Sequence, residues 1–273
     1  MYVDTLSDES LPHIVRYLAH AGIRGIRGYP NAVSLIAGFI KDTGAPVSPV
    51  DSIVTGGAEL LIHQRSIISE VFGIQPHSKY SLYEAFEIAC ECENHEGMHI
   101  SAEDLVIEVV DEEGIPVPPG VEGRIVVTNL HNFGMLFVRY DLGDNGSMLA
   151  GICSCGRTLP RLATLIGRNN MFLVTPGGKR IFYETLFLER LAGLGMRQYQ
   201  IVQETRETVV MRLIPVTSVI TSPDVKSILE REVIDMFRSK FGPELLLRIE
   251  FVDRIEPTEA GKHVFMLSKL PHD

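Results

Sequence analysis

Ser52-Ile53-Val54-Thr55 reads as a buried strand that ends in Gly56-Gly57-Ala58-Glu59 and gives way to a helical pattern from Leu60 to Phe72. A strand, a pair of glycines and a helix in immediate succession suit an open α/β sheet, in which ligands sit at the carboxyl ends of the strands. A tight turn reads the same way from these residues alone. The preceding segment fits the α/β reading. Leu11, Ile14, Val15, Leu18 and Ala19 recur at helical spacing and Gly22 follows as a C-cap would. Ile23 to Tyr29 predicts a strand stopped by Pro30, with Asn31 placed to cap a helix over Ala32 to Asp42.

After a further strand over Gln75 to Tyr80, the texture changes. Cys90 to His99 is polar and rich in metal-ligand types, and it predicts a loop. Strands are expected at Leu105 to Asp111 and Arg124 to Thr128, separated by Pro- and Gly-rich turns. Beyond Gly167-Arg168 the pattern is a hairpin around Pro176-Gly177-Gly178-Lys179 and a helix over Glu184 to Ala192. Two strands follow (Gln198 to Glu204, Val209 to Pro215), then an amphipathic helix over Asp224 to Lys240 and a strand at Leu246 to Val252. The fold class expected is α/β plus α+β, with a first domain over 1–167 and a second over 168–273.

Composition narrows the function classes. The chain has 273 residues, 45% of them hydrophobic and 22% charged, which suits a water-soluble globular protein with a real core. A net charge of −10 argues against nucleic acid or an anionic membrane as partner, since both call for basic surface. The apolar runs are far shorter than a membrane span. The first residues carry no basic stretch ahead of an apolar one, so no signal peptide is expected, and the cytoplasm is the default location.

Four cysteines in a reducing compartment point to thiols or a metal rather than to disulfides. They form two Cys-x-Cys pairs far apart, Cys90/Cys92 and Cys153/Cys155, with His95 and His99 beside the first. Thiolate and imidazole are zinc's preferred ligands and four of them close a structural site. The set favoured is Cys92, His99, Cys153 and Cys155, with Cys90 or His95 as substitutes; unconnected thiols are the alternative.

Val138-Arg139-Tyr140-Asp141-Leu142-Gly143-Asp144 places an Arg, a Tyr and two carboxylates around a glycine, a composition that no core requires. It suits a site for a polyol or ribose and a phosphate near a domain joint. Taken singly, its members have plainer readings. Asp144 would cap a turn, Glu84 a helix start, Arg168 would make a surface ion pair, and Lys262 would be one more solvated lysine.

Taken in order, these pieces resemble the adenylate-forming superfamily, and within it the phenylacetate–coenzyme A ligase family and its relatives from capsule-polysaccharide gene clusters. The series is Arg27-Gly28-Tyr29-Pro30, Thr55-Gly56-Gly57-Ala58-Glu59, Tyr80-Ser81-Leu82-Tyr83-Glu84 and Gly97-Met98-His99. It continues through Arg139 to Asp144, Cys153 to Pro160 and Gly167-Arg168 to Pro257-Thr258-Glu259-Ala260-Gly261-Lys262. The resemblance implies the back part of an adenylate-forming enzyme's large domain followed by a small mobile α+β C-terminal domain. It implies an ATP-dependent ligase that joins a small carboxylic acid to coenzyme A through an acyl-adenylate. Asp144 would hold the ribose hydroxyls, Gly56, Gly57 and Ala58 would let adenine lie on their backbone, and Tyr80 would stack on the base. Glu84 would hold Mg²⁺, Arg168 would pair with ribose or phosphate oxygens, and Lys262 would bridge the attacking carboxylate and the α-phosphate.

The chain also departs from the family pattern. No Ser/Thr/Gly-rich loop able to wrap a pyrophosphate occurs in it, and Ser81 and Tyr83 stand where the family carries Gly and Thr. A truncated or split member is therefore expected, with a second chain supplying the loop. The alternatives are a non-catalytic nucleotide- or partner-binding protein, or an adenylate-forming transferase of polysaccharide biosynthesis. Exposed apolar surface is expected around residues 10–75, and with it a homo-oligomer.

Overall fold

In the computed structural model, residues 10–163, 172–182, 190–216, 223–256 and 264–270 are described. The chain divides into two compact units, Met1–Asn170 and Met171–Asp273.

The first unit opens with helix α1 (Leu11–His20), strand β1 (Gly25–Gly28), helix α2 (Pro30–Thr43), strand β2 (Ser52–Gly56) and helix α3 (Ile62–Phe72). Tyr29, rather than Asn31, caps α2. A residue before proline is driven to extended geometry, and Tyr29 has φ −68° and ψ 143°, which leaves Pro30 free to start the helix. Gln64 caps α3 by accepting the backbone N–H of Leu61 at 3.1 Å. The three helices bury Val15, Val33, Ala37, Ile40, Ile68 and Phe72 with Ile53 of β2.

Strands β3 (His77–Leu82), β4 (Phe86–Glu91) and β5 (Met98–Ile100) follow. Beyond them lie β6 (Leu105–Val110), β7 (Gly123–Asn129), β8 (Tyr140–Gly146), β9 (Met148–Leu149) and β10 (Arg161–Leu162). A seven-stranded sheet runs β1-β2-β3-β4-β5-β10-β9. Its first three strands are parallel, so their carboxyl ends share one edge, and the rest pair antiparallel. Strands β6, β7 and β8 form a separate antiparallel sheet. One cluster, including Tyr80, Ile88, Ile100, Leu105, Ile125, Val127 and Leu162, joins the two sheets.

Two expectations change here. The polar stretch Cys90 to His99 is not one loop: Cys90 pairs with His99 and Ala89 with Ile100, so its ends belong to β4 and β5 and only the tip turns. Backbone pairing is indifferent to side-chain polarity, which is why a polar sequence concealed it. Nor is segment 10–75 an apolar surface. Its exposed large apolar side chains among the described residues are Tyr17 and Ile62, because α1, α2 and α3 pack their stripes on one another and on β2. The exposed apolar residues cluster in sequence at Phe133, Met135, Leu136 and Val138, with Tyr83 and Phe86 also exposed.

The second unit begins with the hairpin β11 (Phe172–Val174) and β12 (Arg180–Phe182). Strands β13 (Met196–Gln203) and β14 (Thr208–Pro215) pair antiparallel; helix α4 (Pro223–Phe241) and strands β15 (Leu246–Phe251) and β16 (Met266–Ser268) follow. The sheet order is β15-β14-β13-β16. Leu229, Val233, Met236 and Phe237 form the buried stripe of α4. Gln203 is fully buried and binds both the N–H (2.9 Å) and the C=O (2.6 Å) of Val174, tying the hairpin to β13. Strand β16 carried no pattern long enough to read from sequence, and most of the helix expected over Glu184 to Ala192 lies outside the described residues.

Candidate functional site: a thiol–imidazole cluster and a buried Tyr–Asp pair

Two loops build the first site. The tip between β4 and β5 carries Cys92 and delivers His99 on β5; the loop between β9 and β10 carries Cys153 and Cys155. Each loop makes a matching turn, His95 N–H to Cys92 C=O at 3.1 Å and Gly156 N–H to Cys153 C=O at 3.0 Å. Gly97 has φ +84°, and a Cβ there would lie 2.7 Å from the carbonyl oxygen of Leu162, so only glycine lets the β4–β5 tip approach β10.

The ligand atoms of Cys92, His99, Cys153 and Cys155 all lie within 4.8 Å of one another. Cys92 Sγ and Cys153 Sγ are 3.7 Å apart, and Cys155 Sγ lies 3.4 Å from His99 Nε2. A tetrahedral zinc with Zn–S of about 2.3 Å and Zn–N of about 2.0 Å separates two sulfurs by about 3.8 Å and a sulfur and a nitrogen by about 3.5 Å. The four groups fit that geometry.

The electrostatics also suit a cation. Burial, reinforced by the Arg157 and Arg161 guanidiniums, lowers the His99 pKa and keeps the imidazole neutral, the form that ligates. The backbone N–H of Arg157, and then its guanidinium, hold Cys155 at about 7 against the effect of burial. For Cys153 the backbone N–H of Cys155 favours the thiolate, but burial and the Cys155 and Cys92 sulfurs push it up to about 11.

Outer contacts lock the loops together. Glu96 accepts the backbone N–H (3.1 Å) and the hydroxyl (2.7 Å) of Ser154, which, with burial opposing, lower its pKa. Asn94 donates to Ser154 Oγ at 2.6 Å and Arg157 pairs with Glu93 at 2.8 Å. Arg161 donates to Glu96 C=O at 2.7 Å.

Neither Cys90 nor His95 belongs to the cluster. Cys90 is in β4; His95 stacks on His77 at 4.9 Å and meets Glu91 at 3.0 Å. Sequence reasoning missed the hub of this second network, Arg65 on α3. Arg65 grips Glu91 with two bonds of 2.7 and 2.9 Å, donates to Pro76 C=O at 2.7 Å and touches His95 Nδ1 at 3.1 Å. Lone Arg and Glu residues on different elements leave no spacing signal. Arg65→Met is expected to lower stability by about 1–3 kcal/mol, because the half-buried Glu91 carboxylate loses its two-bond partner while retaining the Ser78 N–H and His95. An unchanged urea midpoint would show that the pair contributes nothing.

The second site lies on the other half of the same sheet. Gly56, Gly57 and Ala58 leave the carboxyl end of β2, flanked by the ends of β1 and β3. Gly57 has φ +77°, and a Cβ there would sit 2.6 Å from Cε1 of Tyr29. The Tyr29 ring therefore lies on bare backbone, a role the Tyr-Pro pair at a strand end could have signalled. Tyr80, near the end of β3, is buried in the core, and its hydroxyl donates to Asp144 Oδ2 at 2.6 Å. Asp144 itself is 7% exposed. Tyr80 thus orients Asp144, while Glu84 sits in the β3–β4 turn with its carbonyl facing Asn129. Arg168 and Lys262 lie outside the described residues.

Residues 173–269 match the family model of the CapK C-terminal domain. A phenylacetate–coenzyme A ligase of Thermus thermophilus is 33% identical over 117 residues, which span 41% of this chain and 26% of that protein. The crystal structure of 2-hydroxyisobutyryl-CoA ligase in the postadenylation state with 2-HIB-AMP superposes with a TM-score of 0.79 at 19% identity, covering 97% of this chain and 58% of that one. The anthranilate CoA ligase in complex with anthranoyl-AMP gives 0.65 at 16% identity, over 94% of this chain and 51% of that one. The chain thus spans only part of the length of each of these relatives. No helix among the described residues is long and apolar enough to cross a membrane. The chain has the fold of the adenylate-forming CoA ligases, and in sequence it resembles a phenylacetate–coenzyme A ligase, with a CapK-type C-terminal domain.

Proposed function

We propose that this chain supplies the ribose-binding wall and the C-terminal domain of a carboxylate–coenzyme A ligase, with a structural zinc fastening two loops of its first unit. The observation that carries the nucleotide reading is Asp144, a buried carboxylate held by Tyr80 on a strand whose carboxyl end adjoins the Gly56–Ala58 turn. One oxygen takes the Tyr80 hydroxyl, which helps to orient the carboxylate, and the carboxylate would accept the two ribose hydroxyls. Gly56, Gly57 and Ala58 would border adenine, with the Tyr29 ring lying against one face of the Gly57 backbone. Glu84 would hold Mg²⁺, which would supply positive charge to the substrate phosphates; Arg168 would pair with ribose or phosphate oxygens, and Lys262 would neutralise the charge that develops as a carboxylate oxygen attacks the α-phosphorus and pyrophosphate leaves. The thiol of coenzyme A then attacks the acyl carbon and AMP leaves.

The triphosphate needs a Ser/Thr/Gly-rich loop, which these 273 residues do not contain. Adenylation is therefore assigned to this segment working with such a loop, in the same polypeptide or in a second chain. The part reaction tested on the chain itself is nucleotide capture. Calorimetry with AMP is expected to show saturable binding; heat of dilution alone would remove the reading. One second reading is an adenylate-forming transferase of polysaccharide biosynthesis, in keeping with the resemblance to relatives from capsule-polysaccharide gene clusters.

The metal reading rests on the tetrahedral fit of Cys92, His99, Cys153 and Cys155 and on the neutral state of His99. Zinc there would be structural, since four protein ligands close its coordination and leave no position for substrate. Its work would be to join two loops whose own apolar core is small.

A further inference from the structure

We propose that the zinc cluster is also an oxidation site, at which a hydroperoxide converts the metal tie between the two loops into a disulfide through Cys92. The inference rests on the metal reading and deepens it. Cys92 is the only cysteine of the cluster on its loop; Cys153 and Cys155 are on the other. Any disulfide containing Cys92 and a cluster partner therefore spans the same gap as the metal.

The placement of the three sulfurs sets the order of events. Cys92 and Cys153 are buried, whereas Cys155 is half-exposed, so an oxidant entering from solvent meets Cys155 first. The Cys155 sulfur attacks the O–O bond: an S–O bond forms, the O–O bond breaks, and the departing alkoxide or hydroxide takes up a proton. The product is a sulfenic acid, a poorer zinc ligand than a thiolate. The Cys92 sulfur then attacks the Cys155 sulfur. An S–S bond forms, the S–O bond breaks, and the hydroxide that leaves takes a proton from solvent to become water. Two thiolates have given up two electrons, two protons have come from solvent, the hydroperoxide has become an alcohol or water together with a second water, and zinc is released.

Geometry favours Cys92 as the resolving sulfur. A bond between Cys153 and Cys155 would close a small ring across one residue. Cys92 lies within 4.8 Å of Cys155 and 3.7 Å from Cys153, so thiol exchange along the second loop keeps the link between loops. A disulfide needs a sulfur separation of about 2.05 Å, a closure that side-chain rotation supplies if the loops stay in register. The Glu96–Ser154, Asn94–Ser154 and Arg157–Glu93 contacts hold that register without the metal. Cys90, in β4 and outside the cluster, serves as an internal control.

The experiment uses the full chain purified without chelator, its zinc content measured first. Hydrogen peroxide is added in small molar excess, zinc release is followed with a colorimetric chelator, and the thiols are mapped by non-reducing peptide mass spectrometry. The expected result is release of the zinc in step with a disulfide linking the Cys92 peptide to the Cys153–Cys155 peptide, with Cys90 remaining a thiol. Dithiothreitol and added zinc should reverse it. Cys92→Ser is expected to lose the cross-link and carry its oxidised sulfur on to sulfinic acid. Zinc released with only sulfinic acids, or with only a Cys153–Cys155 bond, overturns the proposal. Fresh protein without zinc overturns the metal reading instead, and the peptide map of that same protein still decides the thiol pairing.

Discussion

Stripping zinc from the Cys92–His99–Cys153–Cys155 cluster is expected to lower the thermal midpoint of the first unit by about 10 °C. A ligand that binds only the folded state at a thousand times its dissociation constant contributes about 4 kcal/mol, and in a domain of this size each kcal/mol moves the midpoint by about 2–4 °C. The physical origin is specific. Without a cation, three sulfurs and an imidazole share a space in which their ligand atoms lie within 4.8 Å, with Cys153 kept as a thiol and its pKa at about 11. With a cation, the thiolate charges are compensated and the loops have a common anchor. The measurement is differential scanning calorimetry before and after dialysis against a chelator, followed by zinc restoration. A midpoint that ignores both steps would sink the metal reading. The pH dependence follows in sign: protons compete with the metal for sulfur, so affinity falls as pH drops, and below about 7 Cys155 adds its own proton to that competition. His99, whose pKa is lowered, joins the competition only at more acid pH.

What the sequence disclosed and what it concealed differ by the range of the signal. The Cys-x-Cys pairs, the glycines after β2 and the apolar stripe of α4 are local patterns, and each marks its own element. The resemblance extended this to the fold of the whole chain, which the superposition on 2-hydroxyisobutyryl-CoA ligase bears out. Features set by pairing at a distance left no local trace. Cys90 and His99 are polar yet belong to adjacent strands because their backbones are partners. Arg65 meets Glu91 across α3 and β4, and Glu96 meets Ser154 across two loops, at separations that no periodicity records. Tyr80 is the most instructive case. The motif placed it at the nucleotide, but a tyrosine can serve there by its ring or by its hydroxyl, and a sequence does not distinguish them. The structure buries the ring and commits the hydroxyl to Asp144.

That distinction leads to the second large effect. Asp144→Ala is expected to weaken AMP binding by about a hundredfold, since two charge-assisted bonds to the ribose contribute about 3 kcal/mol together and each 1.4 kcal/mol is a factor of ten. Loss of affinity alone would not identify the ribose grip, because the substitution also removes the bond from the Tyr80 hydroxyl, at a cost of about 1 kcal/mol to folding. The discriminating ligand is 2′-deoxy-AMP. The unaltered chain should prefer AMP over it by about tenfold, through the bond to the missing hydroxyl. Asp144→Ala should bind both equally. Tyr80→Phe leaves the carboxylate in place but removes one bond that orients it, so it should lose only about fivefold in AMP affinity, the worth of about 1 kcal/mol, and keep part of the preference for AMP. Equal preference for AMP in the unaltered chain and in Asp144→Ala would mean that Asp144 is a partner for Tyr80 within the core and that the ribose is held elsewhere. A collapse of preference in Asp144→Ala, with a partial loss in Tyr80→Phe, would place the two residues in sequence: the tyrosine aims the carboxylate, and the carboxylate reads the sugar.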